Sequence, residues 1–253
     1  MEFQGSAARL SGAAVARAAN GLGCSEAAIR AVIEVESRGG FDEEGRPHIL
    51  FERHYFHRLT DGRFGVAHPE LSCKTWGGYG RASAQYGRLA RAIALDREAA
   101  LRSASWGMFQ IMGDNFQAAG FADVERFVTA MMEGEDRHLQ AFIAFVRARR
   151  LDGALARCDW RGFARGYNGR AFARNRYDEK LASAFARHAG PPLLQRGDRG
   201  TAVARLQKAL AISEDGIFGR ETEAAVTGFQ RRRRLVADGI AGLRTWTALN
   251  AAS

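Results

Sequence analysis

Gly190-Pro191-Pro192 constrains this chain more than any other feature of its sequence. Each proline lacks a backbone N–H and fixes φ, so two in a row after a glycine stop a helix and stiffen the segment that follows. The chain therefore divides into residues 1–189 and residues 190–253, and the two parts show different patterns. A length of 253 residues suits one medium and one small domain.

Residues 1–189 carry apolar stripes at helical spacing. Ile29, Val32, Ile33 and Glu36 share a face behind Ser25, a residue type that caps helix N-termini. Phe127, Val128, Met131 and Met132 form a second stripe; Leu139, Phe142, Ile143 and Val146 a third; Trp160, Phe163, Ala164 and Tyr167 a fourth. The glycine-rich pieces Arg38 to Gly45 and Trp76 to Gly80 read as loops, or a short hairpin at most. Beyond the prolines, Thr201 to Ala211 predicts a helix. An internal echo then appears: Asp215-Gly216-Ile217-Phe218-Gly219 precedes Thr222, and Asp238-Gly239-Ile240-Ala241-Gly242 precedes Thr245, 23 residues later. Each unit is a tight Asp-Gly turn feeding a helix. The expected fold is mainly α, a larger helical domain over 1–189 and a small three-helix domain over 190–253.

A formal net charge of +9 draws the chain toward polyanions. Residues 191–253 hold 10 Lys+Arg against 6 Asp+Glu and the rest of the chain 27 against 22, so the excess is spread and forms no discrete basic tail. No aromatic–basic motif or helix-turn-helix signature supports nucleic-acid binding. Three widely spaced cysteines, Cys24, Cys73 and Cys158, give neither a disulfide framework nor a metal pattern. No metal and no cofactor are expected. No run of about 18 apolar residues marks a membrane span. Arg9 and Arg17 interrupt the alanine-rich start, which argues against a signal peptide.

Three short motifs bear on chemistry: Val35-Glu36-Ser37-Arg38, Ser105-Trp106-Gly107-Met108-Phe109-Gln110-Ile111-Met112-Gly113, and Gly166-Tyr167-Asn168-Gly169. Glycoside cleavage needs a carboxylic acid that keeps its proton near neutrality, and burial among apolar groups achieves this. Glu36, ending an apolar helix, is the candidate acid. Glu52, after Ile49-Leu50-Phe51, is the first candidate for a second carboxylate, with Asp42 and Asp61 in reserve; an ion pair with Arg53 or another cation is the structural alternative for Glu52.

In their order, a Glu-Ser pair, a Gly-hydrophobic-Gln stretch and Tyr-Asn resemble the goose-type lysozyme and lytic transglycosylase superfamily, and more closely the phage-type N-acetylmuramidases. The resemblance runs from about Ala7 to His188. It implies that Glu36 is the catalytic acid, with Glu52 assisting, and that Gln110, Tyr167 and Asn168 belong to the sugar cleft. Tyr79 and Trp106, with Trp76 and Tyr86, are aromatic candidates for stacking on sugar rings. Residues 190–253 resemble a three-helix peptidoglycan-binding domain through Leu194, Gly197, Gly200, Val203, Leu206, Gln207, Phe229 and Gln230. Asp215, Gly216, Thr222, Asp238 and Gly239 are the expected wall-binding residues. The implied function is hydrolysis of the β-1,4 bond between N-acetylmuramic acid and N-acetylglucosamine in peptidoglycan. A lytic transglycosylase or a non-catalytic wall-binding protein are the alternatives. A monomeric phage endolysin, made in the host cytoplasm and released to the wall through a separate pore, is the expected setting, with no nucleic-acid partner and no stable membrane insertion.

Overall fold

The computed structural model describes residues 3–37 and 39–251, so Arg38 of the first motif lies outside the described residues. The chain forms two compact units, Met1–Phe185 and Ala186–Ser253. Each has its own buried cluster of apolar side chains.

The first unit opens with α1 (Gly12–Leu22) and α2 (Glu26–Glu36). Ser11 and Ser25 cap them, each hydroxyl accepting from the backbone N–H three residues on. Then follow β1 (Ile49–Phe51), α3 (Arg53–Leu59), α4 (Gln85–Leu95), α5 (Arg97–Arg102), β2 (Ala104–Trp106) and β3 (Ile111–Met112). The apolar stripes read from sequence lie on α6 (Val124–Glu133), α7 (Glu135–Ala148) and α9 (Trp160–Asn168), with α8 (Asp152–Ala156) between them and α10 (Tyr177–Ala189) following. Phe127, Val128, Met131, Leu139, Phe142, Val146 and Phe163 are all buried, so these stripes are core.

The strands form one antiparallel sheet in the order β1-β2-β3, with Leu50 opposite Ser105 and Trp106 opposite Ile111. This sheet was not expected. Strands of two or three residues are too short to display alternation, and they hold together because helix-borne side chains pin them. Gln85 at the start of α4 accepts from the Phe51 N–H (2.9 Å) and donates to the carbonyls of Tyr79 (2.7 Å) and Arg81 (3.0 Å).

The second unit contains α11 (Thr201–Ala209), α12 (Arg220–Arg232) and α13 (Leu243–Asn250). The 23-residue echo is a repeated hydrogen-bond frame. Gln207 donates to Asp215 Oδ1 (2.7 Å) and Thr222 Oγ1 (3.0 Å) and accepts from the Gly216 N–H (2.9 Å). Gln230 does the same with Asp238 (2.8 Å), Thr245 (3.1 Å) and Gly239 (3.0 Å). Gln207 and Gln230 are each 2% exposed, so each frame sits where an unpaired polar group is costly. Trp246 Nε1 donates to the Pro192 carbonyl (2.8 Å), tying the proline segment to α13. Replacing Gln207 with Leu strands the Gly216 N–H and removes the donor to Asp215 and to the Thr222 hydroxyl. It is expected to destabilise this unit by roughly 2–4 kcal/mol, read as faster amide hydrogen exchange across residues 201–250 of the full chain.

Candidate active site

Glu36 is the last residue of α2, where the helix carbonyls point outward and disfavour a negative charge. Its side chain lines a groove of about 520 Å³ together with His48, Leu50, Gly80, Met108 and Gln110. Burial raises its carboxyl pKa above the ordinary range, opposed by a hydrogen bond from Asn168 and by the charge of Lys180. Asn168 Nδ2 donates to Glu36 Oε1 at 3.0 Å. The arrangement suits a proton donor: an acid whose burial favours its protonated form, fixed in orientation by an amide.

The groove walls are held from α7. Glu135, 4% exposed, accepts from the N–H groups of Leu10 (2.8 Å) and Gly40 (2.9 Å). His138, 1% exposed, accepts at Nδ1 from the Met108 N–H (3.1 Å), and its other nitrogen meets the Met131 carbonyl (2.6 Å). That pair of contacts assigns the proton to Nε2, and burial lowers the His138 pKa, which keeps the ring neutral. A Cβ on Gly40 would meet His138 Nδ1 at 2.7 Å, and one on Gly107 at 2.9 Å, where φ is also +68°. The loop after the acid and the β2–β3 turn therefore close on one imidazole, and only glycine permits either approach. Sequence reading passed over Glu135 and His138; the signal available was a charged residue and a histidine on a helix whose other face is core.

Gln110 is exposed yet committed. It adopts φ of +49°, and its amide donates to the carbonyls of Gly107 (2.8 Å) and His48 (3.1 Å) while its oxygen accepts from Ser105 Oγ (2.8 Å). It shapes the groove by holding the β2–β3 corner to the His48 backbone. Tyr167 likewise has an internal partner, donating to the Phe109 carbonyl (3.1 Å), with its ring stacked on Phe163.

Glu52 follows β1, on the strand face of Leu50, which lines the groove. Glu52 itself is not among the groove's lining residues. Burial raises its pKa against the charge of His54 and a hydrogen bond from Tyr79. Its Oε2 lies 3.1 Å from His54 Nδ1. Both atoms are buried, and the contact is too poorly aligned to count as a hydrogen bond. The alternative partner, Arg53, is turned away, donating to the Gly77 carbonyl (2.7 Å). Tyr79 is thus a ligand of the second carboxylate, and its ring meets exposed Trp76 edge-on. Of the reserves, Asp42 is ion-paired with Arg46 at 2.8 Å and lines an adjoining cavity of about 510 Å³ that shares His48, Ile49, Ala82 and Gln85 with the groove. Asp61 sits at φ of +50° in the turn after α3.

Several expectations need correction. Trp106 does not offer a stacking face: it is 1% exposed, packed on Phe3, and donates to the Leu101 carbonyl. Its position on the central strand β2 places it in the core. Thr222 is 1% exposed, Gly239 is buried, and the Gly216 N–H is taken by Gln207. Asp215 and Asp238 are exposed residues, but each gives one carboxylate oxygen to its glutamine frame. The Asp-Gly turns thus serve an internal frame, and Asp238 also lines a surface cavity of this unit. Among the described residues, no group of three or more His, Cys, Asp or Glu side chains is placed to hold a metal ion.

A half-buried acid in a groove bounded by helices and a small sheet is the arrangement of a lysozyme-like glycoside hydrolase. Residues 25–189 match the N-acetylmuramidase family and residues 195–249 a peptidoglycan binding domain. The crystal structure of the Burkholderia AP3 phage endolysin is similar, at 43% identity over 72% of each chain with a TM-score of 0.69. The chain belongs to the N-acetylmuramidase family, glycoside hydrolases that act on peptidoglycan.

Two outcomes follow from the geometry around Glu36. Asn168→Ala removes a donor that favours the charged form, so the Glu36 pKa rises and the alkaline limb of the kcat/KM profile moves to higher pH. Glu36 also affects stability. Its folded pKa exceeds its unfolded value, so the unfolded chain binds fewer protons as pH rises above about 4.5, and folding weakens through that window. Glu36→Gln is expected to melt higher than the parent at pH 7, with the difference vanishing below about pH 4, as thermal unfolding at the two pH values would show.

Proposed function

We propose that the chain cleaves the β-1,4 bond between N-acetylmuramic acid and N-acetylglucosamine by general acid catalysis from Glu36. The observation that carries this reading is the desolvated Glu36 carboxyl lining a sugar-sized groove and oriented by Asn168. Glu36 gives its proton to the glycosidic oxygen as that oxygen leaves the muramic acid C1. A water adds to C1, and its proton passes to Glu52. Tyr79 orients that second carboxylate, with His54 beside it. Gln110 and Tyr167 shape the groove, while Tyr79 and Trp76 border the substrate's path. We assign catalysis to residues 1–189 and wall attachment to residues 190–253.

A second carboxylate, the half-buried Glu52 held by Tyr79, favours hydrolysis over the transglycosylase reading, because a reaction in which the sugar's own 6-hydroxyl attacks requires no separate carboxylate to activate water. The intact acid constellation likewise speaks against a non-catalytic binding protein. By its likeness to a phage endolysin, we place the chain as a monomer made in the host cytoplasm and reaching the wall through a separately made pore. Among the described residues no helix is long and apolar enough to cross a membrane.

Glu36→Gln is expected to lower release of reducing ends from purified peptidoglycan by about a thousandfold, with sedimentation of the protein on wall material unchanged. Mass analysis of parent digests should give reducing muropeptides. Products lighter by one water would support the transglycosylase, and retained activity in Glu36→Gln would remove the acid assignment.

A further inference from the structure

The two glutamine frames of the second unit are nearly superimposable in their hydrogen bonds, yet the surfaces they carry differ. At the 23-residue register Ser213 corresponds to Val236, Arg220 to Leu243 and Glu221 to Arg244. The first copy is polar at these positions, whereas the second has turned two of them apolar and one from acid to base. Nothing in the internal frame requires this, since the first copy holds its frame without it. Val236 is 73% exposed, Leu243 68% and Leu193, from the segment after the prolines, 69%. Three large aliphatic side chains this open to water form a patch of the kind that marks a binding site.

These three rim a cavity of about 310 Å³, floored by Leu235 and Ile240 and edged by Arg244 and Asp238. The cavity is lined entirely by residues 193–245. Its composition argues against a sugar. No aromatic ring lines it, and its neutral polar side chains, Gln230 and Thr245, are already bonded to one another. A pyranose would have to bury hydroxyls against aliphatic carbon without partners, which is costly. Methyl and methylene groups suit such a rim. Arg244 is exposed and has no ion pair among the described residues. Asp238 holds one oxygen to the Ile240 N–H and Gln230, contacts that keep its carboxyl below the usual range and therefore ionised. The cavity thus offers an apolar rim, one exposed cation and one anion held in place by its hydrogen bonds.

We propose that this cavity binds the stem peptide of peptidoglycan and not its glycan strand: alanine methyls against Leu193, Val236 and Leu243, a peptide carboxylate on Arg244, and the ammonium of a diamino acid near Asp238. The proposal rests on the peptidoglycan-binding family match and concerns attachment alone, so it stands or falls separately from the role of Glu36. Charge and chemistry agree on this occupant, because a stem peptide carries both signs of charge together with small apolar side chains.

The test is calorimetric binding of free stem tetrapeptide (L-Ala, γ-D-Glu, meso-diaminopimelate, D-Ala) to the full chain. Two variants carry residues that the first copy already holds at the equivalent positions: Val236→Ser with Leu243→Arg, and Arg244→Glu. The parent is expected to bind the tetrapeptide, and each variant to bind it at least about tenfold more weakly, on the scale of losing partial burial of aliphatic side chains. Cleavage of stem-free glycan oligosaccharides should be unchanged in both variants. The proposal is overturned if the parent fails to bind the tetrapeptide, or if the double variant binds it as tightly as the parent. It is also overturned if Val236→Ser with Leu243→Arg instead loses affinity for stem-free glycan strands. Failure of the catalytic reading would register elsewhere, as activity surviving in Glu36→Gln.

Discussion

One imidazole on α7 sets the geometry of the groove. His138 takes the Met108 N–H on one nitrogen and meets the Met131 carbonyl with the other, while Gly40 and Gly107 press against its ring. Glu135, one turn earlier on the same helix, secures the Gly40 and Leu10 N–H groups. The loop leaving Glu36 and the turn of the sheet are thus referred to a single rigid helix. A buried polar group of this kind is tolerable only when fully bonded, and here full bonding places two backbone segments at once. The sugar-cleaving geometry is therefore inherited from α7, which touches none of the proposed reacting atoms.

The same logic explains the composition of the groove. Gln110, which lines the groove, and Asn168 and Tyr167 behind it each have hydrogen bonds to protein: at the β2–β3 corner, the Glu36 carboxyl and the Phe109 carbonyl. They fix the shape of the groove and the orientation of the Glu36 carboxyl. A proton donor works only if its surroundings do not relax around it, and prior commitment of these side chains supplies that rigidity.

Much of this was legible in the sequence because it depends on periodicity and on residue types with few uses. The stripes ending in Val146 and Phe163 announced core helices. Ser25 announced a cap, the double proline announced a break, and the Asp-Gly echo announced a repeat. Glu36 was readable as an acid because an apolar helix face led to it. What remained hidden depends on contacts far apart in sequence. Leu50 opposite Ser105 cannot be inferred from three-residue strands, and Glu135 reaches Gly40 across 95 positions. Trp106 misled because an aromatic beside a Gly-x-x-Gln motif has the composition of a sugar platform, while its strand position buries it. The Asp-Gly turns misled in the opposite sense: their regularity signals a repeated internal frame and not a repeated surface.

The separateness of the two apolar cores has a thermodynamic consequence. The cluster around Phe142 and the cluster around Phe218 and Trp246 share no residue. A unit of some sixty residues buries a smaller fraction of its surface than one of three times that size, so the wall-attaching part is the thinner of the two margins against heat. Two separate clusters allow the two parts to unfold at different temperatures. Where the smaller part melts first, the glycosidase would persist as a folded enzyme without its anchor, and turnover of soluble fragments and adhesion to intact wall would part company.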